Sequence, residues 1–131
     1  MSSGNTIVNA KKLNDLHQWE GIKLEMSDPT KNIILKIDNE SQCCEVWGYN
    51  ISYSETIFTN LEDFIGAIFI SSEIIEYDTF CKDSNKDRVS IGIKIITDRG
   101  NITVEFYNDH NGYYPHDVSI QIEDYVKIIS L

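Results

Sequence analysis

Side chains that can bind ligands or do chemistry are concentrated in two short segments of the chain. One runs from Cys43 to Tyr49 with the sequence CCEVWGY, and the other runs from Asn108 to Val118 with the sequence NDHNGYYPHDV. Together they hold two of the three cysteines, two of the three histidines and one of the two tryptophans. Thiol, imidazole and carboxylate groups serve as metal ligands or nucleophiles, and aromatic rings stack on nucleotide bases. A functional site is therefore expected in or near these segments.

Neither segment has the spacing of a metal centre or of a hydrolytic site. His110, His116 and Asp117 carry ligand-type groups, but six positions separate the histidines and no third nitrogen or sulfur ligand is nearby. Cys43 and Cys44 are adjacent, so on a strand they point to opposite faces and do not share a metal. The serines lack the context of a nucleophile elbow. We therefore expect no metal, no cofactor and no enzymatic activity.

Each segment also has a purely structural interpretation. Asn111 and Gly112 suit a tight turn, which needs no ligand to explain it. In the other segment, a cysteine and Trp47 can fill a core as ordinary apolar side chains. That interpretation leaves Glu45 and Tyr49 without a role, and an acid at this place could orient an arginine or accept a hydrogen bond from a ligand hydroxyl.

Arg88 and Arg99 are the only arginines in the chain. A guanidinium group is a planar fork that holds a phosphate through two hydrogen bonds. Each arginine could equally make a salt bridge in a loop or lie in a solvated turn. Because the rest of the chain is acidic, a phosphate site must be local, and Arg88 is the better candidate for it.

The charge of the chain is acidic and unevenly distributed. Its formal net charge is −10, with five lysines against four acidic residues in residues 1–36 and six basic against seventeen acidic groups in residues 37–131. An anionic surface disfavours both nucleic-acid backbones and anionic membranes. The three cysteines form no CxxC pair, which favours a reducing cytoplasm. The sequence predicts neither a signal peptide nor a membrane span.

Alternating apolar residues in the second half of the chain predict antiparallel strands. Residues 91–95 and 102–106 alternate isoleucine, valine or phenylalanine with small or polar residues, and Asp, Gly and Asn stand between the two runs. This pattern predicts a β-hairpin. Residues 118–122 alternate in the same way, so we expect three consecutive antiparallel strands from about residue 88 onwards.

The first half of the chain is less regular but shows the same alternation. Residues 22–26 and 33–37 predict a second hairpin around a turn that contains Pro29. Residues 42–53 and 67–78 are rich in residues that favour strands.

Helical signals are short. Residues 60–66 predict a helix of one or two turns, with Asn60 as its cap and Gly66 at its end. Two leucines suggest a further helical turn around residues 9–16.

These patterns predict a mainly β (α+β) fold. We expect a single compact domain of antiparallel strands with one or two short helices, covering residues 1–131. Residues 1–19 are expected to form a looser N-terminal segment of it.

The chain resembles a family of small phage and prophage proteins that includes the first-described Thoeris anti-defence proteins. The resemblance runs from about residue 20 to about residue 123 and is carried by CCEVWGY, NLEDFIG and GNITVEFYNDHNGYYPHDV, in that order. Proteins of that family are sponges, which bind the cyclic ADP-ribose isomer made by defensive TIR enzymes and hold it without cleaving it. The resemblance implies a β-rich domain that forms dimers or higher oligomers, with ligand pockets at protomer boundaries. Some members also bind small cyclic oligonucleotides.

A cyclic nucleotide of this kind requires aromatic planes, amides and one or two cations from the protein. The candidate residues are Phe80, Tyr107, Tyr113 and Tyr114 for stacking, Asn108 and Asn111 for the base edge, and Arg88 and His110 for phosphate. The resemblance therefore implies a homo-oligomeric protein of the host cytoplasm that binds a cyclic nucleotide and neither nucleic acid nor membrane.

Two other classes of function remain open on the sequence. An acidic protein can mimic nucleic acid and inhibit a host defence protein by binding it. A structural phage component that binds no ligand is the third possibility. Retention of a nucleotide, loss of a protein partner on charge reversal, or a large assembly without ligand affinity would separate the three.

Overall fold

The computed structural model describes residues 5–14, 19–38, 46–80, 87–110, 116–123 and 125–131. These residues form nine strands and two 3-10 helices. The strands are β1 (Ile7–Asn14), β2 (Trp19–Met26), β3 (Ile33–Asp38), β4 (Val46–Ser54), β5 (Phe69–Phe80), β6 (Asp87–Thr97), β7 (Gly100–His110), β8 (Asp117–Ile122) and β9 (Tyr125–Ser130), and the helices are Pro29–Lys31 and Leu61–Phe64.

The strands form two antiparallel sheets. One has five strands in the order β1-β2-β3-β8-β9, and the other has four in the order β4-β7-β6-β5. The predicted mainly β fold of antiparallel strands is confirmed. The two helices are single 3-10 turns, and the described residues contain no α-helix and no helix long and apolar enough to cross a membrane.

One hydrophobic core lies between the two sheets. Because side chains alternate along a strand, every second residue of the inner strands points inward. Ile22 and Leu24 on β2 are fully buried, as are Val104 and Phe106 on β7. Burial of each such side chain stabilises the fold by about 1.5–3 kcal/mol. The two sheets therefore form a β-sandwich.

The predicted hairpin over residues 91–106 is confirmed as β6 and β7. The strands pair from Asp87 with His110 to Thr97 with Gly100, so that Asp98 and Arg99 form the turn. Gly100 has a φ of +122°, and a Cβ at this position would collide with Thr56. The glycine of the predicted turn is thus required both for backbone conformation and for space.

The second predicted hairpin is confirmed as β2 and β3. Its connection is longer than a tight turn because Pro29–Lys31 form a 3-10 helix. Asp28 begins that helix, and its carboxylate accepts hydrogen bonds from the backbone N–H (3.0 Å) and hydroxyl (2.7 Å) of Thr30. These bonds hold the pKa of Asp28 below its usual value.

Two local predictions are wrong. Residues 9–14 belong to β1 rather than to a helical turn, because Ala10 is buried opposite Leu24 of β2 and tertiary pairing overrides local propensity. The strand at residues 118–122 does form as β8, but it pairs with β3 in the other sheet rather than with β7. Alternation reveals which residues form a strand but not which neighbour the strand joins.

The second 3-10 helix closes the end of the sandwich beyond β4. Leu61 and Phe64 are buried, and the ring of Phe64 stacks on Tyr53 with centroids 5.6 Å apart. Asn60 is the N-cap residue, as predicted, and the carboxylate of Asp63 accepts a hydrogen bond from its backbone N–H at 3.1 Å. The short helix predicted at residues 60–66 is therefore present, as a single 3-10 turn over Leu61–Phe64.

Candidate functional site

Strand pairing brings five of the eight predicted ligand-binding residues to one end of the four-stranded sheet. Phe80 ends β5, Arg88 lies near the start of β6, and Tyr107, Asn108 and His110 lie near the end of β7. The register pairs Phe80 with Asp87, Asp87 with His110, and Arg88 with Asp109. Neighbouring strands lie about 4.8 Å apart, so these backbones are close. Asn111, Tyr113 and Tyr114 lie outside the described residues.

Tyr107 and Asn108 are consecutive, and their side chains point to opposite faces of the sheet. Asn108 is fully buried between the sheets, where its amide donates a hydrogen bond to the main-chain oxygen of Leu131 at 3.1 Å. Tyr107 lies on the outer face over Gly48, and a Cβ on Gly48 would approach the phenol oxygen to 2.9 Å. A ligand on the outer face could therefore meet Tyr107 but not the amide of Asn108.

His116 ties the two sheets together at the same end. Its ring stacks on Trp47 with centroids 4.9 Å apart, and its Nδ1 lies 2.7 Å from the main-chain oxygen of Asp38. A carbonyl oxygen only accepts, so Nδ1 carries the proton. His116 is also joined to Leu131 by two main-chain hydrogen bonds of 2.8 and 3.0 Å. His116 is buried, and Trp47 packs against the hydrophobic core, so both side chains contribute to the packing of the sandwich at this end.

The cysteine pair with Glu45, and Arg99, are the other candidate residues that the sequence singled out. Cys43, Cys44 and Glu45 lie outside the described residues. Arg99 lies in the exposed turn between β6 and β7, which agrees with its interpretation as a solvated turn residue. In the part of the chain that the structure describes, no group of three or more His, Cys, Asp or Glu residues is placed to hold a metal.

A polar groove opens along one side of the sandwich, between the edge strands β1 and β4. We call it the β1–β4 groove. It has a volume of 540 Å³, within the usual range for sites that hold small molecules. Its lining comprises Lys12 from β1, Tyr49, Asn50, Ile51 and Tyr53 from β4, and Thr59, Asn60, Leu61 and Glu62 around the second 3-10 helix.

Two tyrosines give the β1–β4 groove its rigid wall. Tyr53 is stacked on Phe64, and Tyr49 is tilted against the buried Phe106 at a centroid distance of 6.0 Å. Burial raises the pKa of both phenols, and a nearby glutamate, Glu20 for Tyr49 and Glu62 for Tyr53, raises each further. Both groups therefore stay protonated at neutral pH and can donate hydrogen bonds.

The remaining lining supplies complementary polar groups. Asn50 and Asn60 offer amides that both donate and accept, and Thr59 offers a hydroxyl. Lys12 is the cation of the described lining and Glu62 its anion. β4 is an edge strand of its sheet, so the backbone groups on its outer side also face this region.

Sequence reasoning flagged Tyr49 but missed the rest of this groove. A usable signal was present: Tyr49, Ile51 and Tyr53 alternate on β4, whereas the inward positions of the central strand β6 are all isoleucine (Ile91, Ile93 and Ile95). Tyrosines at inward positions of a strand indicate the boundary between core and solvent, because the ring packs against the core while the hydroxyl remains in contact with water. Lys12 and Asn60 carried no such signal, since their proximity to Tyr49 arises only on folding.

The fold and this groove define a small antiparallel β-sandwich with a polar, ligand-sized groove at one open side. The chain belongs to the family described as a domain of unknown function, DUF7448, whose model matches residues 3–120. No curated protein matches the chain, and no solved structure does.

Proposed function

We propose that the protein is a phage-type anti-defence protein that binds and sequesters a TIR-derived cyclic ADP-ribose isomer or a related cyclic nucleotide. In this proposal it acts in the host cytoplasm as a homo-oligomer and releases its ligand chemically unchanged. The observation that carries the proposal is the β1–β4 groove, in which aromatic, amide, hydroxyl and ammonium groups converge on 540 Å³ of space. The sequence resemblance to Thoeris anti-defence proteins supports the same class of ligand.

The groove offers a partner for each part of such a ligand. Tyrosine rings favour contact with adenine or ribose, and the amides of Asn50 and Asn60 suit the donor and acceptor pattern of a base edge. Phenol and threonine hydroxyls suit ribose. Lys12 is placed to meet the negative charge of a pyrophosphate as a point charge.

The same lining supports binding rather than cleavage. Hydrolysis needs a nucleophile or a general base near its optimal pKa, held within hydrogen-bond reach of its partner. The described lining contains neither histidine nor cysteine, and its two phenols are kept protonated at neutral pH. Glu62 is the carboxylate of the described lining, so release of an unaltered ligand, tested below, is what separates binding from cleavage.

Retention of ligand tests the proposal directly. The purified protein is incubated with each cyclic ADP-ribose isomer, washed, heated to release the ligand and analysed by chromatography. We expect one isomer to be retained and released unchanged. Failure to retain any isomer or related cyclic nucleotide would contradict the proposal, and a chemically altered product would indicate an enzyme instead.

Two lysines next to each other on β1 provide a matched pair for locating the site. Lys12 lines the groove, whereas Lys11 lies 3.1 Å from Glu25 in a salt bridge on the other face of the strand. We expect K12A to reduce retention at least tenfold and K11A to leave it unchanged. If R88A abolishes retention while K12A does not, the ligand lies at the β5–β6–β7 end predicted from the sequence.

The charge distribution favours an acidic protein-binding inhibitor as the second candidate. Seventeen acidic groups against six basic ones in residues 37–131 would let the protein imitate a nucleic acid toward a host defence protein. In that case a pull-down would lose its partner on charge reversal at Glu73, Glu76 or Asp78, and no nucleotide would be retained.

A further inference from the structure

Strand β9 leaves large apolar side chains uncovered at the edge of the five-stranded sheet. Val126 is 66% exposed, Ile128 is 65% exposed, and Tyr125 is 44% exposed. An edge strand already presents a row of unpaired N–H and C=O groups. When its side chains are also apolar, the strand is a site for pairing with another chain.

The other three edge strands carry features that oppose such pairing. β1 has a bulge and two lysines, β5 has a bulge and Glu73, and β4 lies beside the second 3-10 helix across the polar groove. β9, in contrast, pairs with β8 in an unbroken register. It contains no proline, glycine or acidic residue. Among the described edges, β9 is thus the one suited to strand addition.

We infer that β9 pairs with β9 of a second copy of this chain and joins the two five-stranded sheets. The inference rests on the self-association included in the proposed function and names the surface that would produce it. Two identical strands form a self-complementary antiparallel pair about a two-fold axis. A net charge of −10 on each chain opposes self-association in general, but β9 holds one charged residue, Lys127, so pairing of two β9 strands brings no acidic side chains of the strand together.

The alternation of side chains restricts how the two strands can pair. Val126 and Ile128 lie on one face of β9, and Lys127 lies on the other. A register that sets Val126 opposite Ile128 also sets the two copies of Lys127 against each other, which is unfavourable. Among the other registers, we place the two-fold axis at Val126 or Ile128, because there the most exposed apolar side chains of the strand meet their own copies.

The same pairing covers a second opening of the sandwich, which we call the β5–β9 groove. This groove has a volume of 640 Å³ and is lined by Ser72 and Ile74 of β5 and by Ile122, Glu123 and Tyr125 at the β8–β9 corner. A two-fold axis at β9 brings the two grooves toward each other. Burial of their isoleucine and tyrosine surfaces adds an apolar contribution to the backbone hydrogen bonds.

Oligomeric state measured by light scattering over a range of protein concentrations tests the inference. The full chain is compared with the double variant V126K/I128K and with I57K, which changes a 92% exposed isoleucine in the loop after β4. We expect the wild type and I57K to dimerise alike, and the double variant to dimerise at least tenfold more weakly. A wild type that stays monomeric, or a double variant that dimerises as before, would overturn the inference.

Cysteine cross-linking gives a result that does not depend on weakened association. Cα atoms of directly opposed residues lie about 4.5–5.5 Å apart, within the range of a disulfide. We expect V126C or I128C to form a covalent dimer under mild oxidation, and I57C to form no more than the wild type. Absence of the cross-link in both β9 variants contradicts the pairing. Nucleotide retention measured on the same samples separates failure of the interface from failure of ligand binding.

Discussion

The two open sides of the sandwich differ in the polarity of the side chains that they expose to water. The β1–β4 groove is lined by phenols, amides and charged groups and is closed at one end by the second 3-10 helix. The β5–β9 groove ends on strand β9, where the side chains of Val126 and Ile128 are exposed. A polar lining can hold a small molecule by specific hydrogen bonds. The unpaired backbone groups of an apolar edge strand can instead form hydrogen bonds with a strand of another chain. Under the two proposals above, ligand binding and self-association use opposite sides of one fold.

The largest expected effect comes from opening the β1–β4 side. Phe64 is fully buried and supports Tyr53 of the groove wall through ring stacking. We expect F64A to lower the free energy of unfolding by about 3–5 kcal/mol, because it removes a buried aromatic ring and leaves a cavity. Urea unfolding followed by tryptophan fluorescence measures the loss.

A control in the same loop isolates the role of the buried ring. Ile57 is 92% exposed, so I57A should change the free energy of unfolding by no more than about 0.5 kcal/mol. If F64A costs no more than I57A, the second 3-10 helix does not close this side and the contrast between the two sides fails.

A smaller effect is expected from alkaline pH, and only on the β1–β4 side. The pKa values of Tyr49 and Tyr53 are raised above 10.0 in the folded protein, chiefly by burial. The stability they contribute is therefore complete below the unfolded-state pKa and is lost as pH rises through the folded-state pKa. We expect the double variant Y49F/Y53F to lose less stability than the wild type above pH 10. Thermal unfolding measured from pH 8 to pH 11 checks this.

The matched variant for the pH experiment lies on the other side of the sandwich. Tyr125 lines the β5–β9 groove, and Y125F is the control for removing a phenol hydroxyl away from the β1–β4 groove. If Y125F protects as well as Y49F/Y53F, the effect does not belong to the β1–β4 groove.

The sequence predicted strands where alternation is complete and failed where contacts are remote. The β6–β7 hairpin was predictable because its isoleucines and valines alternate without interruption around a glycine-containing turn. β1 was not, because Lys11 and Lys12 break the apolar pattern and only pairing with β2 makes it a strand. The sheet to which β8 belongs is set by its packing with β3, which local periodicity does not encode.

The same distinction applies to the candidate site. The nearness of Arg88 to Tyr107 could be predicted, because both lie on one hairpin and its register follows from the turn. The β1–β4 groove could not, because Lys12, Tyr49 and Asn60 are brought together from three separate elements. Its one local sign was a pair of tyrosines at inward positions of an edge strand.

The smallest expected effect concerns the stability of the monomer on the β5–β9 side. Val126 and Ile128 already face water, so V126K/I128K should change the free energy of unfolding of the monomer by less than about 1 kcal/mol. Ile120 of the neighbouring strand is fully buried, and I120A should cost about 2–5 kcal/mol. Urea unfolding at low protein concentration compares the two variants.

The concentration dependence of unfolding gives this comparison its sharpest form. A dimer gains stability with concentration by mass action, so the melting temperature of the wild type should rise as its concentration rises, whereas that of V126K/I128K should rise less over the same range. If V126K/I128K is as unstable as I120A at low concentration, the exposed side chains of β9 support the fold of each copy. The β5–β9 side would then resemble the β1–β4 side in serving the interior of a single molecule, and the contrast between them would disappear.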